Sequence, residues 1–228
     1  MVQPMLFLHW KQMRVPLALF VVAAFGLPLF SVQGLGTPPG LDGASLDAYR
    51  LMATAQAWLP LFPILAGSIG ITLALSAWNW DHQQNHVYSL SLPLTRWEYT
   101  LQKLMAGAIL ALVPAAALWI GAQLATASVT LPDGLNAYPN QLATRFFFAI
   151  VLSYALLFAM AAGTVRTTLW VAGVVFGFAV FGNVINSYLG VYFDFFATHN
   201  VVEMALEWTL SAPGPFEVFT GSWALIDV

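Results

Sequence analysis

The stretch His86–Ala127, HVYSLSLPLTRWEYTLQKLMAGAILALVPAAALWIGAQLATA, joins a polar, proline-broken segment to an unbroken apolar run. The run, Leu104–Ala127, exceeds the about 20 mostly apolar residues that a helix needs to cross about 30 Å of hydrocarbon. Just before it, Thr95-Arg96-Trp97-Glu98 has the spacing of a capping box, in which Thr95 and Glu98 satisfy each other's backbone N–H groups. Leu94 and Tyr99 sit where a hydrophobic staple belongs, and Pro93 pushes Leu92 out of helical geometry. A helix is therefore predicted to begin at Arg96 and continue into the membrane.

The rest of the chain has the same character. Of 228 residues, 60% are hydrophobic and 7% charged, against roughly 25% charged in soluble domains, and mean hydropathy is +0.77. The apolar excess must face lipid. Five runs are long enough to span, or nearly so: Val15–Val32, Ala57–Trp78, Leu104–Ala127, Phe146–Gly163 and Leu169–Leu189. They are continuous, without the alternating segments of a membrane barrel, so the expected fold is an all-α polytopic bundle of about five spans. Val15–Val32 is not read as a signal peptide, because no A-x-A-like site follows it. Net charge is −3 with no long basic run, so nucleic acid is not an expected partner. The absence of cysteine excludes disulfides and Cys-based metal sites.

The whole chain reads as one transmembrane domain: an interfacial helix within residues 1–14, spans over 15–189, and an external amphipathic or re-entrant region over 190–228. With the N-terminus inside, the inner segments hold Lys11, Arg14, Arg96, Lys103 and Arg166, while the outer ones keep Arg50 and Arg145. Pro16, Pro28, Pro60, Pro63 and Pro114 predict kinks or broken ends in three spans. Ala66, Gly70 and Ala74 recur once per turn on one face, and Gly173 and Gly177 form a GxxxG pattern; both read as helix-packing surfaces. Phe216–Ile226 is expected to start a half-helix dipping into the bilayer, or a sixth span cut short.

Within the spans, polar groups are few. Ser68 and Thr72, together with Gln123, Asn183 and Asn186 toward the outer end, either line a translocation path or hold helices together. No serine has a His or Lys partner at membrane depth, and no H-E-x-x-H occurs, so no catalytic residue is assigned. Asp81, His82 and His86 lack a further ligand to complete a metal site. His9 and His199 fall on opposite sides of the membrane, and neither is expected to join them.

A short helix from Asp81 to Ser91, with Asp81 near its positive end, would meet the new helix at the Leu-Pro-Leu-Thr corner. The result is a rigid elbow on the cytoplasmic side. This segment resembles the coupling segment of permease subunits in type-2 ATP-binding-cassette exporters. There an acidic residue after the second span precedes a short helix, then Leu-Pro-x-Ser/Thr-Arg, then a Lys; Asp81, Leu92, Pro93, Thr95, Arg96 and Lys103 match. Met5–Arg14 is similar to that family's N-terminal interfacial helix. The resemblance implies a cytoplasmic ATPase dimer as partner, contacted through these residues with His86, Leu90 and Glu98. It also implies a second permease subunit, identical or not, and a bacterial cytoplasmic membrane as the location. No cofactor is expected on this chain; ATP and Mg would belong to the ATPase, and no GxxxxGK[ST] occurs here. The family usually has six spans, so a sixth is missing from this reading. The alternative is a non-transporting scaffold or accessory subunit.

The orientation is directly testable. In this cysteine-free chain, a His86→Cys variant is expected to react with a membrane-impermeant maleimide only from the cytoplasmic side. Labelling from outside would reverse the orientation and strip the elbow of its proposed contact.

Overall fold

The computed structural model describes residues 2–33, 57–83, 95–129, 131, 134–163, 169–170, 173, 207–209, 211, 214 and 216–227. Four helices among them are long and apolar enough to cross a membrane. They are α1 (Val2–Gln33), α2 (Leu61–Gln83), α3 (Arg96–Ala127) and α4 (Pro139–Ala161). A fifth, α5 (Glu217–Thr220), is a single turn. The expected fifth span, Leu169–Leu189, lies largely outside the described residues.

Local chemistry accounts for most boundaries. Thr95 is extended (φ −67°, ψ 146°) and forms the capping box with Glu98, whose carboxylate accepts the Thr95 N–H at 3.2 Å. Pro139 opens α4, where a missing N–H costs nothing. Pro60 lies in the turn before α2 and Pro63 in its first turn, so neither breaks the span. Pro16, Pro28 and Pro114 lie inside helices that continue past them. The separate interfacial helix expected over Met5–Arg14 is instead the first part of α1, which runs without a break for 32 residues, about 48 Å.

The contacts give an up-down-up-down order. Leu6 packs on the Tyr99–Ala106 cluster and Phe25 meets Gly121, so α1 runs parallel to α3. Lys103 reaches back to Ala77, making α2 antiparallel to α3. Tyr154 bonds Lys103 and Trp119 bonds Asn140, so α4 also opposes α3.

The packing inverts the rule of soluble proteins. The buried face of α3 carries Ala106, Gly107, Ala111, Ala115, Gly121, Ala122 and Ala125, while Met105, Ile109, Leu112, Trp119 and Leu124 point outward. Lipid tails are as apolar as Leu, so burying a large side chain gains little; close backbone approach gains dispersion contacts. A Cβ on Gly121 would come within 3.0 Å of the Phe25 carbonyl carbon, and one on Gly70 within 2.8 Å of the Ile150 oxygen. Ala66 and Ala74, on the same stripe as Gly70, are fully buried, and at Gly70 this face meets α4. Gly173 is exposed, with nothing within 4 Å of where its Cβ would be, and Gly177 lies outside the described residues.

The chain divides into two compact units, Met1–Phe158 with Trp223–Val228, and Ala159–Ser222. In the first, β2 (Ile226–Asp227) pairs antiparallel with β1 (Asn136–Ala137), Asn136 opposite Asp227. Gly134 supplies the positive φ (95°) of the turn leading into β1. The half-helix expected over Phe216–Ile226 is therefore corrected: helix stops at Thr220, Gly221 is extended, and the tail ends in a strand with Trp223, Leu225 and Ile226 buried. In the second unit, Glu207–Thr209 are helical, and a turn holds Gly214, whose N–H donates to Ser211 at 2.6 Å.

Gly121→Ala should lower the unfolding midpoint in detergent, with overpacking costing about 1–3 kcal/mol. Gly67→Ala, where nothing lies within 4 Å, should leave stability unchanged or raise it by up to about 1 kcal/mol through helix propensity.

Candidate functional site

Asp81 and Lys103 are 22 residues apart in sequence and meet inside the bundle, with side-chain exposures of 1% and 2%. Lys103 Nζ lies 2.5 Å from Asp81 Oδ2 and donates to the Ala77 carbonyl at 2.7 Å. The ammonium also sits 4.5 Å from the centre of the Trp78 ring and 4.9 Å from that of Tyr99. On the other side of the carboxylate, the Tyr99 hydroxyl is 3.0 and 3.1 Å from the two Asp81 oxygens.

Each member is placed by its helix. Tyr99 and Lys103 are four residues apart on α3 and so share a face. Trp78 and Asp81 are three apart on α2, next to the Ala77 carbonyl. Fully buried Tyr154 on α4 donates its hydroxyl to the Lys103 carbonyl at 3.1 Å. A Cβ on Gly107 would collide with the Tyr154 hydroxyl and ring, so that tyrosine can lie there only against glycine. Trp78 Nε1–H donates to the Phe158 carbonyl at 3.1 Å, tying α2 to α4 at the same level.

The placement of Asp81 corrects the expectation from sequence. Because α2 continues to Gln83, Asp81 lies at the negative end of that helix, not the positive end of a new one. A carboxylate there is disfavoured by the helix dipole, and Lys103 and Tyr99 offset the cost. The helix that carries the expected third span begins earlier than Leu104: Lys103 lies inside α3, which starts at Arg96, and forms a compensated pair with Asp81 at that end of the bundle.

The residues assigned to ATPase coupling therefore separate. Asp81 and Lys103 face inward and touch other helices. Thr95 and Arg96 are exposed and Glu98 half-buried, while His86, Leu90, Leu92 and Pro93 lie outside the described residues. Of the proposed path residues, Ser68 donates to the Leu65 carbonyl at 2.8 Å and Thr72 to the Ser68 carbonyl at 2.7 Å. Gln123 donates to Asn140 Oδ1 at 3.2 Å, an oxygen it shares with Trp119 Nε1–H at 2.8 Å. Asn183 and Asn186 lie outside the described residues. A rise of about 1.5 Å per residue puts Gln123 about 30 Å from Lys103 along α3, one hydrocarbon thickness. The two polar clusters thus mark the two ends of the apolar bundle.

Sequence reading did not find His9, which it placed apart from Asp81. His9 is 1% exposed and close enough to Asp81 and Lys103 to feel both charges. Its Nε2 has no hydrogen-bond partner among the described residues. The signal available was pairing of opposite charge: Asp81 and Lys103 flank one loop at the same membrane face. Nothing comparable marked His9.

Removing one partner of a buried pair strands the other charge, at about 3–5 kcal/mol, whereas an apolar pair of similar size is often near neutral. Asp81→Asn and Lys103→Met are each expected to destabilise the protein by that amount. The double variant should recover most of the loss, giving a coupling energy well above 1 kcal/mol in a double-mutant cycle.

No family model matches the chain, and neither does any curated protein or solved structure.

Proposed function

We propose that the chain is the membrane-spanning permease subunit of an ATP-driven ABC transporter, an exporter, working with a separate cytoplasmic ATPase and a second permease subunit in a bacterial inner membrane. The observation that carries this reading is the Asp81–Lys103 pair. It clamps the end of α2 to the beginning of α3, so the polar segment between them, residues 84–94, leaves and re-enters a joint held at both ends. A push on that segment would reach both helices together instead of being absorbed by fraying ends. Arg96 and Trp97, exposed on the first turn of α3, would extend the contact surface. In this reading the chain catalyses nothing itself, and nucleotide chemistry belongs to its partner.

One observation favours the second reading, a non-transporting scaffold or accessory subunit. Ser68 and Thr72 hydrogen-bond to their own helix, which leaves less polar lining for a path.

Isolation of the native complex separates the two readings. An ATP-binding subunit that crosslinks to a Trp97→Cys variant is the expected result. Arg96→Ala should then weaken assembly about tenfold, as the loss of one charge-assisted hydrogen bond of about 1.5 kcal/mol requires. A complex with no ATP-binding subunit would overturn the transporter reading.

A further inference from the structure

Four helices meet around the buried pair, and one of them brings a titratable group that the joint itself does not use. On α1, His9 is buried one turn from Leu6, which packs on Tyr99 and Ala106; Asp81 comes from α2, Tyr99 and Lys103 from α3, and the Tyr154 hydroxyl caps the Lys103 backbone from α4. On α1 itself, Lys11 and Arg14 are exposed and point elsewhere. A buried polar atom without a partner is rare enough in native proteins to need an explanation, and ionisable groups at membrane depth are functional candidates by default.

Counting charge supplies the explanation. With His9 neutral, Asp81 and Lys103 cancel, and the enclosed cluster is neutral. One added proton on the imidazole leaves a net positive charge. It would be shut in with Lys103 and one carboxylate, already held by Lys103 and Tyr99. Enclosing an unbalanced charge is costly, and the cheapest relief is to let water reach His9. Of the helices at the cluster, α2 and α3 are tied by the ion pair and α4 by the Tyr154 and Trp78 hydrogen bonds, whereas the N-terminal end of α1 is held by apolar packing, Leu6 against Tyr99 and Ala106, beside an imidazole nitrogen with no partner among the described residues. The N-terminal end of α1 is therefore the element that gives way.

We propose that His9, beside the Asp81–Lys103 pair, is a proton-binding site, and that taking up a proton releases the N-terminal end of α1 from α3. This stands on the helix contacts alone and holds whichever function the chain has.

The full chain in lipid nanodiscs provides the test. A Leu6→Cys/Ala106→Cys pair, in a chain with no native cysteine, reports the α1–α3 contact through bismaleimide crosslinking, its rate at each pH divided by that of a Trp119→Cys/Asn140→Cys reference pair so that the thiolate fraction cancels. Between pH 8 and pH 5, the window in which histidine switches, the closed-to-open ratio should fall, at most about tenfold per pH unit for a single linked proton. His9→Gln should flatten that dependence. If the parent shows none, or the variant keeps it, the site is wrong. Should His9→Gln fail to fold, NMR of labelled His9, with His82, His86 and His199 replaced by Gln, decides the matter. Protonation of the imidazole together with loss of the crosslink supports the proposal. Protonation with the crosslink intact, or a neutral imidazole at pH 5 with α1 still closed, overturns it.

Discussion

Lys103 can be shut away in an apolar bundle because every side of its ammonium is answered: a carboxylate, a backbone carbonyl and two aromatic faces. Without Asp81 the cation would be stranded at a cost of several kcal/mol. Without Lys103 the carboxylate would stand alone at the negative end of a helix. The rest of this end of the bundle is arranged around that mutual dependence. Tyr99 lies four residues before Lys103 to reach Asp81, Gly107 lies four residues after it to admit Tyr154, and Trp78 covers the pair while bonding to α4.

Elsewhere the bundle is held by a different force. Lipid supplies no hydrophobic drive for helix association, so α3 turns most of its small residues inward, alongside Leu110 and Leu118, and many of its bulky ones outward. Directional bonds then set register at the two ends, the ion pair at one and the shared Asn140 oxygen at the other. The first end is buried and charged, which makes it sensitive to loss of a single group. The second is exposed and neutral, and the terminal strand adds backbone pairing there through Tyr138 and Leu225.

These two regimes bear on function as well. In the proposed coupling, a joint fixed by one compensated pair would transmit displacement between α2 and α3, and the proposed proton site would set its neutrality through His9. Mechanical coupling and proton sensitivity would then share one cluster, the first through the pair and the second through the imidazole beside it.

The sequence by itself determined that the chain is apolar enough for membrane, where the apolar stretches of four long helices lie, and that α3 starts at Arg96. Those features are local: hydropathy over a window and a capping box over four residues carry their own energetics. The small-residue stripe of Ala66, Gly70 and Ala74 was equally readable, though not which helix it would meet. Only the tertiary structure decided that Asp81 belongs to α2, that Lys103 and His9 converge on it, and that the chain ends in a strand against β1. Each depends on a partner chosen across a long stretch of chain. Hydrophobic periodicity says which face of a helix is apolar, but in lipid every face is apolar, so the choice of neighbour falls to a few glycines, aromatic rings and charges whose partners no local pattern names.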